Sequence, residues 1–202
     1  MKKILLAFAL TAAVMTAGAQ VKELEPDDVF ELTEPEEINP EDGDDGPQDC
    51  FPVTNIKATS RLASQGANNY NEKNLYDEDF KTSWVEGVKG YGIGEKITFT
   101  LEDVTAGFMG INIVNGYSKS PTAWKNNSRV KKLKLSVDGE PKFILNLKDQ
   151  MGTQYFDWAE VINVDGDEMT RTFTVTLEIL DVYKGDKYDD TAISEVLFLG
   201  CY

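Results

Sequence analysis

The sequence predicts an all-β fold, a β-sandwich or jelly roll, and three observations carry that prediction. Polar and apolar residues alternate over several short runs, as they do in strands with one buried face. Asn-Gly and Asp-Gly pairs, which favour tight turns, separate these runs. The only two cysteines of the 202 residues, Cys50 and Cys201, stand at the two ends of the strand-rich region. No stretch between them has a helical repeat of useful length.

Six runs are predicted to be strands. Residues 97–101, 133–137, 143–147 and 173–179 alternate cleanly, so each presents one apolar face. Residues 110–114 and 196–199 are more continuously apolar, which is typical of central strands covered on both faces. The predicted turns are Asn115-Gly116, Asp138-Gly139 and Asp165-Gly166.

The first 19 residues have the pattern of a signal peptide. Lys2 and Lys3 precede an apolar run, and small residues at 17–19 form a cleavage site. We therefore expect export to the periplasm or outside the cell, and no later segment is long and apolar enough to span a membrane. In an oxidising compartment, Cys50 and Cys201 are predicted to form a disulfide. Such a long loop would gain about 4–5 kcal/mol from closure, and two buried thiols are the alternative.

Charge divides the mature chain into two parts. Of its 35 acidic residues, 13 lie in residues 20–49, where Lys22 is the only base. We predict that residues 20–49 are a disordered acidic linker and that residues 50–202 form the folded domain. Residues 50–202 hold 22 acidic and 17 basic residues, a net charge of −5, which argues against a nucleic-acid partner. One basic cluster is either a solvated face or a docking face for the acidic segment: Lys125, Arg129, Lys131, Lys132 and Lys134.

The run from Asn74 to Trp84, NLYDEDFKTSW, resembles the signature of discoidin-like domains, also called coagulation factor V/VIII type C domains. Further stretches are similar to a bacterial branch, the glycan-binding domain attached to secreted NAD-glycohydrolase toxins; they are residues 84–95, 115–119, 127–131 and 190–195. The resemblance covers roughly residues 55–200 and implies a galactose-binding-like jelly roll. Such domains often close their termini with a disulfide, and Trp84 would be a core residue.

The resemblance also implies a structural calcium ion. By position it would be held by Asp77, Asp79 and Thr82, in the loop before the signature tryptophan, and by Glu195 near the last strand. Calcium prefers six to eight hard oxygen ligands, which such residues supply. Glu195 shares strand parity with apolar neighbours and is therefore predicted to point inward. Two alternatives stay open: a turn that satisfies itself by hydrogen bonds, and a Glu195 paired with a base.

Sugar recognition needs an aromatic face for the apolar side of the ring and polar groups for its hydroxyls. Loop residues of this kind are the predicted ligand-binding set: Tyr91, Tyr117, Trp124, Asn126, Asn127, Arg129 and Tyr188. Trp124 is the first candidate for stacking, with a plug at the end of the sandwich as its alternative. Trp158 is either a core plug or an edge contact.

Catalysis has little support. The chain has no histidine, which excludes Ser-His-Asp, Cys-His and His-ligated zinc chemistry. A glycosidase would need two facing carboxylates, for example Glu86 with Glu95 or Asp189 with Asp190. The favoured function is a non-catalytic module that binds a cell-surface glycan or polysaccharide. The alternative is a structural or adhesion protein that binds another protein through the same loops.

Overall fold

A computed structural model describes residues 21–32, 53–104, 107–162 and 171–201. Side chains are not described at 103–109, 158–162, 171 and 200–201. The predicted signal peptide, Cys50, the Asp165-Gly166 turn and the side chains of Trp158 and Cys201 therefore lie outside the described residues. None of the described helices is long and apolar enough to cross a membrane.

The described residues form eleven strands, and helical structure is short. A 3-10 helix spans Glu72–Leu75 and the α-helix α1 spans Pro121–Asn126. The strands are β1 (Lys22–Leu24), β2 (Asp28–Phe30), β3 (Val53–Ala58), β4 (Trp84–Val85), β5 (Lys96–Val104), β6 (Gly107–Asn115), β7 (Ser128–Val137), β8 (Glu140–Asn146), β9 (Thr153–Ile162), β10 (Arg171–Tyr183) and β11 (Thr191–Cys201).

Hydrogen bonding runs through one folded-over sheet in the order β2-β9-β6-β11-β7-β10-β5-β3, with β4 added to β11, β8 to β7 and β1 to β8. The junction between β11 and β7 is parallel and only two residue pairs long, Thr191 with Ser128 and Ala192 with Arg129. The two halves of the sheet face each other across the core: Phe99 of β5 meets Phe198 of β11 edge-on, with ring centroids 5.0 Å apart. The predicted all-β sandwich is confirmed.

The core is built from the alternating residues that predicted the strands. Leu133 and Leu135 of β7 and Val175 and Leu177 of β10 are fully buried in one cluster. Trp84 is also fully buried there, and its indole N–H donates to the Ser60 carbonyl at 3.0 Å, which confirms its structural role. Five of the six predicted strands lie within observed strands, and the sixth, 143–147, runs one residue past the end of β8 at Asn146. Asp138 and Gly139 both have positive φ and join β7 to β8, as expected of a tight hairpin turn.

The N-terminal strap, residues 21–32, departs from the predicted disorder of residues 20–49. Its strand β1 runs parallel to β8, and β2 runs antiparallel to β9, so the strap adds a strand to an edge of each half of the sheet. Leu24 packs against the main core. The Lys132 ammonium lies 3.3 Å from the Glu23 carboxylate. Part of the basic cluster therefore contacts the acidic segment, which was one of the two predicted roles of that cluster. Residues 33–49 lie outside the described residues.

Helix α1 was not predicted, because six residues are too few to show a helical repeat. Its start was nevertheless visible in the sequence. Ser120 is the N-cap and accepts the Ala123 N–H at 3.1 Å, and Pro121 occupies the first turn. The helix turns the chain sharply between β6 and β7, which brings residues 117–127 over one end of the sandwich.

Candidate functional site

A cleft of about 380 Å³ lies at that end of the sandwich. We call it the aromatic cleft. Leu62, Tyr70, Val85 and Tyr117 line it and belong to a small apolar cluster separate from the main core, which Ala192 completes. The rings of Tyr70 and Tyr117 meet edge-on, with centroids 6.2 Å apart. Burial, and secondarily Tyr70, raises the pKa of Tyr117, so its hydroxyl stays protonated and can donate a hydrogen bond.

The walls of the aromatic cleft are polar. Four of the seven predicted ligand-binding residues line it: Tyr117, Asn126, Asn127 and Tyr188. Residues that the sequence reasoning missed complete it: Gln65, Asn68, Tyr70, Ser120, Thr122 and Asp190, with Leu62, Val85 and Ala123. Asn68 and Tyr70 stand in an Asn-rich stretch with an aromatic residue, so the criterion applied to residues 117–129 would have found them. Asp190 is the only Asp, Glu, Lys or Arg residue in this lining.

Backbone contacts place Tyr188 against the wall. The N–H groups of Lys187 and Tyr188 both donate to the Asn126 carbonyl, at 3.1 and 2.8 Å. Gly185 allows this approach, because a Cβ there would lie 2.4 Å from the Asn126 carbonyl oxygen. Tyr188 is 42% exposed, and the Lys187 ammonium lies 4.9 Å from its ring centroid. Tyr188 is thus a partly exposed aromatic ring at the wall of the cleft.

Trp124 does not offer a ring face to a ligand in this structure. It is 8% exposed, its indole N–H donates to the Asn115 carbonyl at 2.9 Å, and the Arg129 guanidinium lies 4.4 Å from the ring centroid. Gly116 packs beneath it with φ of +82°, where a Cβ would come within 2.7 Å of the indole. Trp124 thus closes the end of the sandwich, which was the alternative stated from the sequence. Its predicted role as the stacking residue does not fit this position.

Arg129 is likewise part of the scaffold and not of the predicted binding surface. It is 6% exposed and forms a two-pronged ion pair with Asp149, with N–O distances of 2.7 and 3.1 Å. Its remaining amino group donates to the Asn127 carbonyl at 2.9 Å. Arg129 therefore holds the end of α1 that carries the two asparagines of the cleft wall.

Tyr91 lies outside the aromatic cleft. It is half-buried, with the Lys184 ammonium 4.9 Å from its ring centroid, and its carbonyl accepts the Thr191 hydroxyl at 2.9 Å. The prediction that Tyr91 joins the other binding residues is therefore not met by this geometry, and its contacts fix the glycine-rich loop against the start of β11.

The turn at residues 77–82 brings three of the four predicted calcium ligands together. The Asp77 carboxylate accepts the Thr82 hydroxyl at 2.8 Å and the Asp79 N–H at 3.2 Å. The Asp79 carboxylate accepts the Lys81 N–H at 2.9 Å. These bonds match the alternative of a turn that satisfies itself.

Glu195 is fully buried. The register of β11 shifts between Ile193 and Glu195, so that Val196 and Phe198, of opposite parity to Glu195, belong to the main core. Glu195 lies near the turn, because the hydroxyls of the adjacent residues Ser83 and Ser194 are 2.7 Å apart. Across the described ranges, no three His, Cys, Asp or Glu side chains are grouped so that they could hold a metal ion by themselves. A calcium ion here would thus depend on backbone and hydroxyl oxygens beside the carboxylates, which are ligands that calcium accepts.

Glu86, which follows the cleft residue Val85, is a fully buried carboxylate. It accepts the backbone N–H groups of Val88 and Thr191, at 2.8 and 3.3 Å. Burial raises the pKa of Glu86, and the nearby charges of Asp190 and Glu95 raise it further, against the effect of the two hydrogen bonds. Because it is buried, Glu86 cannot reach a substrate as the carboxylate of a glycosidase pair.

The raised pKa predicts how stability depends on pH. Between the ordinary glutamate pKa of 4.5 and the raised pKa of Glu86 in the folded protein, the folded state binds more protons than the unfolded state. Its free energy of unfolding therefore falls as pH rises through that window. Glutamine at position 86 cannot ionise. As pH rises through this window, we therefore expect the free energy of unfolding of Glu86→Gln to increase relative to that of wild type. Urea unfolding of both proteins from about pH 4 to about pH 8 measures this. A constant difference between the two proteins would contradict it.

The fold and the cleft define a class: a discoidin-type jelly roll that carries a polar, aromatic cleft on loops at one end. Comparison with protein families agrees. Residues 49–199 match the model of the NAD glycohydrolase translocation F5/8 type C domain. The chain belongs to this family, which confirms the resemblance seen in the motifs.

Solved structures share the fold at low sequence identity. The arabinofuranosyltransferase AftD from Mycobacteria superposes with a TM-score of 0.50 at 17% identity, over 75% of this chain and 11% of that one. The CBM32-1 and CBM32-2 domains of Clostridium perfringens ZmpB give a TM-score of 0.50 at 12% identity, over 73% of this chain and 34% of that one. This chain thus spans a small part of those proteins. No curated protein matches it.

Proposed function

We propose that this protein is an exported, non-catalytic module that binds a carbohydrate, a cell-surface glycan or polysaccharide, in the aromatic cleft. One observation carries the proposal: aromatic rings and side-chain amides from three separate chain segments meet in one cleft. Tyr188 supplies a stacking face, Tyr117 a hydroxyl, and Asn126 and Asn127 supply amides. Sugar rings need this combination of an apolar surface and planar donors and acceptors.

Two further points support a binding function. The cleft volume of about 380 Å³ suits a small ligand. Solved structures of similar fold include domains named as carbohydrate-binding modules of family 32. The family's description as a translocation domain of NAD glycohydrolases fits a role in attachment to a surface outside the producing cell.

Calcium is a separate part of the proposal. Asp77, Asp79 and Thr82 offer oxygen ligands in one turn, and Glu195 is buried on the neighbouring strand. A bound calcium ion would stabilise the folded state by mass action. In wild type we therefore expect a chelator to lower the unfolding midpoint, and we expect Asp79→Asn to lose that response.

The test of sugar binding is a glycan array on residues 20–202, run in calcium and in chelator, with wild type and Tyr188→Ala. Losing an exposed stacking ring removes about 0.5–1.5 kcal/mol of affinity, which is roughly a 2- to 13-fold weaker signal. The matched control is Ile93→Ala, which removes an apolar side chain that is 57% exposed and outside the cleft.

Binding that Tyr188→Ala reduces and Ile93→Ala leaves intact supports the module. Absence of any glycan signal from folded wild type would refute it and favour the structural or adhesion role, in which the same loops contact a protein. An unfolding midpoint that is the same in calcium and in chelator would refute the calcium site and leave the proposal of sugar binding unaffected.

A further inference from the structure

We infer that the glycan site extends beyond the aromatic cleft into a second cleft, so that the preferred ligand is an oligosaccharide and not a single terminal sugar. This inference rests on the proposed function and deepens it. The second cleft, about 350 Å³, lies beside the first and is nearly as large. We call it the strap cleft, because the N-terminal strap forms part of its wall.

The two clefts are continuous at Ser120, which lines both. A hydrogen bond also crosses the boundary: the Lys119 ammonium of the strap cleft donates to the Asn68 side-chain oxygen of the aromatic cleft at 2.8 Å. A chain of sugar rings that starts against Tyr188 therefore has a polar ridge to pass over and a second concave surface beyond it.

The lining of the strap cleft suits a sugar ring. Phe80, Met151 and Pro121 provide apolar surface for one face of a pyranose. Lys119 and Glu78 provide a donor and an acceptor for hydroxyls on its edge. Both signs of charge are present, so the cleft has no strong preference for an anionic or a cationic sugar.

The buried side of the strap cleft contains a polar atom that the fold does not use. The Ser118 hydroxyl oxygen is buried and has no hydrogen-bond partner among the described residues. Buried hydroxyls are normally satisfied by protein or ordered water, so an unsatisfied one in the lining favours a polar group of a ligand at this side of the strap cleft.

One wall of the strap cleft comes from a segment that precedes the family match. Leu32, the last described residue of the strap, lines that cleft. The family match begins at residue 49, so Leu32 lies outside the region that defines the family. The pairing of β2 with β9 fixes the strap two residues before Leu32 and so brings this wall into place.

The test is a dependence of affinity on chain length. Wild type is measured on an array of mono-, di-, tri- and tetrasaccharides of galactose, glucose, N-acetylglucosamine and mannose. For each series that binds, we expect the tetrasaccharide to bind at least about tenfold more tightly than the monosaccharide. Phe80→Ala and Met151→Ala should remove most of that gain and leave monosaccharide affinity within about twofold. Two variants are used so that a folding defect in one does not decide the result.

Tyr188→Ala separates this inference from the proposed function. It should weaken monosaccharide and tetrasaccharide alike, because both occupy the aromatic cleft. Equal affinity for all chain lengths, with no effect of Phe80→Ala or Met151→Ala, would overturn the extended site and leave the aromatic cleft standing. Absence of binding by every series would overturn both.

Discussion

Replacing Trp124 with alanine is expected to destabilise the protein by about 3–5 kcal/mol, the cost of removing a buried aromatic side chain. The loss includes the ring's packing on Gly116, its contact with the Arg129 guanidinium at 4.4 Å and its hydrogen bond to the Asn115 carbonyl. That carbonyl would lose an indole donor in a buried setting, which adds to the cost. Urea unfolding followed by circular dichroism measures the change.

Two controls make the Trp124 result specific. Tyr188→Ala removes an exposed aromatic side chain and should change the free energy of unfolding by less than about 0.5 kcal/mol. Trp124→Phe keeps most of the packing and loses the N–H donor, so we expect an intermediate loss of about 1–3 kcal/mol. A Trp124→Ala protein that unfolds like wild type but binds no glycan would contradict the scaffold role and restore Trp124 as a contact.

Removing the N-terminal strap, residues 21–32, is expected to lower stability and to promote self-association. Leu24 packs on the main core, and its truncation alone should cost about 2 kcal/mol, the lower end of the range for large apolar side chains. This corresponds to a fall of about 4–8 °C in Tm for a chain of this size. Removal of the whole strap also takes away the strands that pair with β8 and β9. Those edges could then pair with another chain.

Differential scanning calorimetry and light scattering of the truncated protein and of Leu24→Ala test this expectation. Glu25→Ala is the matched control, because Glu25 is the next residue and is exposed. It should behave as wild type. A truncated protein with unchanged Tm and a mass that does not depend on concentration would show that the strap adds nothing to the folded domain.

The strap and the basic cluster show why the predicted disorder of residues 20–49 was wrong in part. Acidic side chains repel one another when a segment is considered alone. In the fold, Glu23 meets Lys132 and Asn146, which lower the pKa of its carboxyl, with the Asn146 hydrogen bond the larger influence. Leu24 gains a core to pack on. The partners of Glu23 and Leu24 are distant in sequence, so no local pattern could reveal these contacts.

The strands of the core were determined by the sequence itself. Runs such as 133–137 and 173–179 alternate because one face is buried, and this alternation is local information. The Asp138-Gly139 turn is equally local, because two residues with positive φ are enough to specify it. The Asn74–Trp84 run identified the family for a similar reason, since its residues are contiguous and lead from the 3-10 helix to the core residue Trp84.

Only the tertiary structure decided which aromatic and polar side chains face solvent. Trp124 and Tyr188 both stand in loop-like sequence. Trp124 is buried by its contacts with Arg129, Asn115 and Gly116. Tyr188 stays partly exposed, and Gly185 allows its segment to pack against the end of α1. Tyr70 and Asn68 join the cleft from a segment about fifty residues before α1. Strand periodicity is a property of neighbours along the chain. A binding site is formed by residues that are distant in sequence, and their meeting depends on the register of the whole sheet.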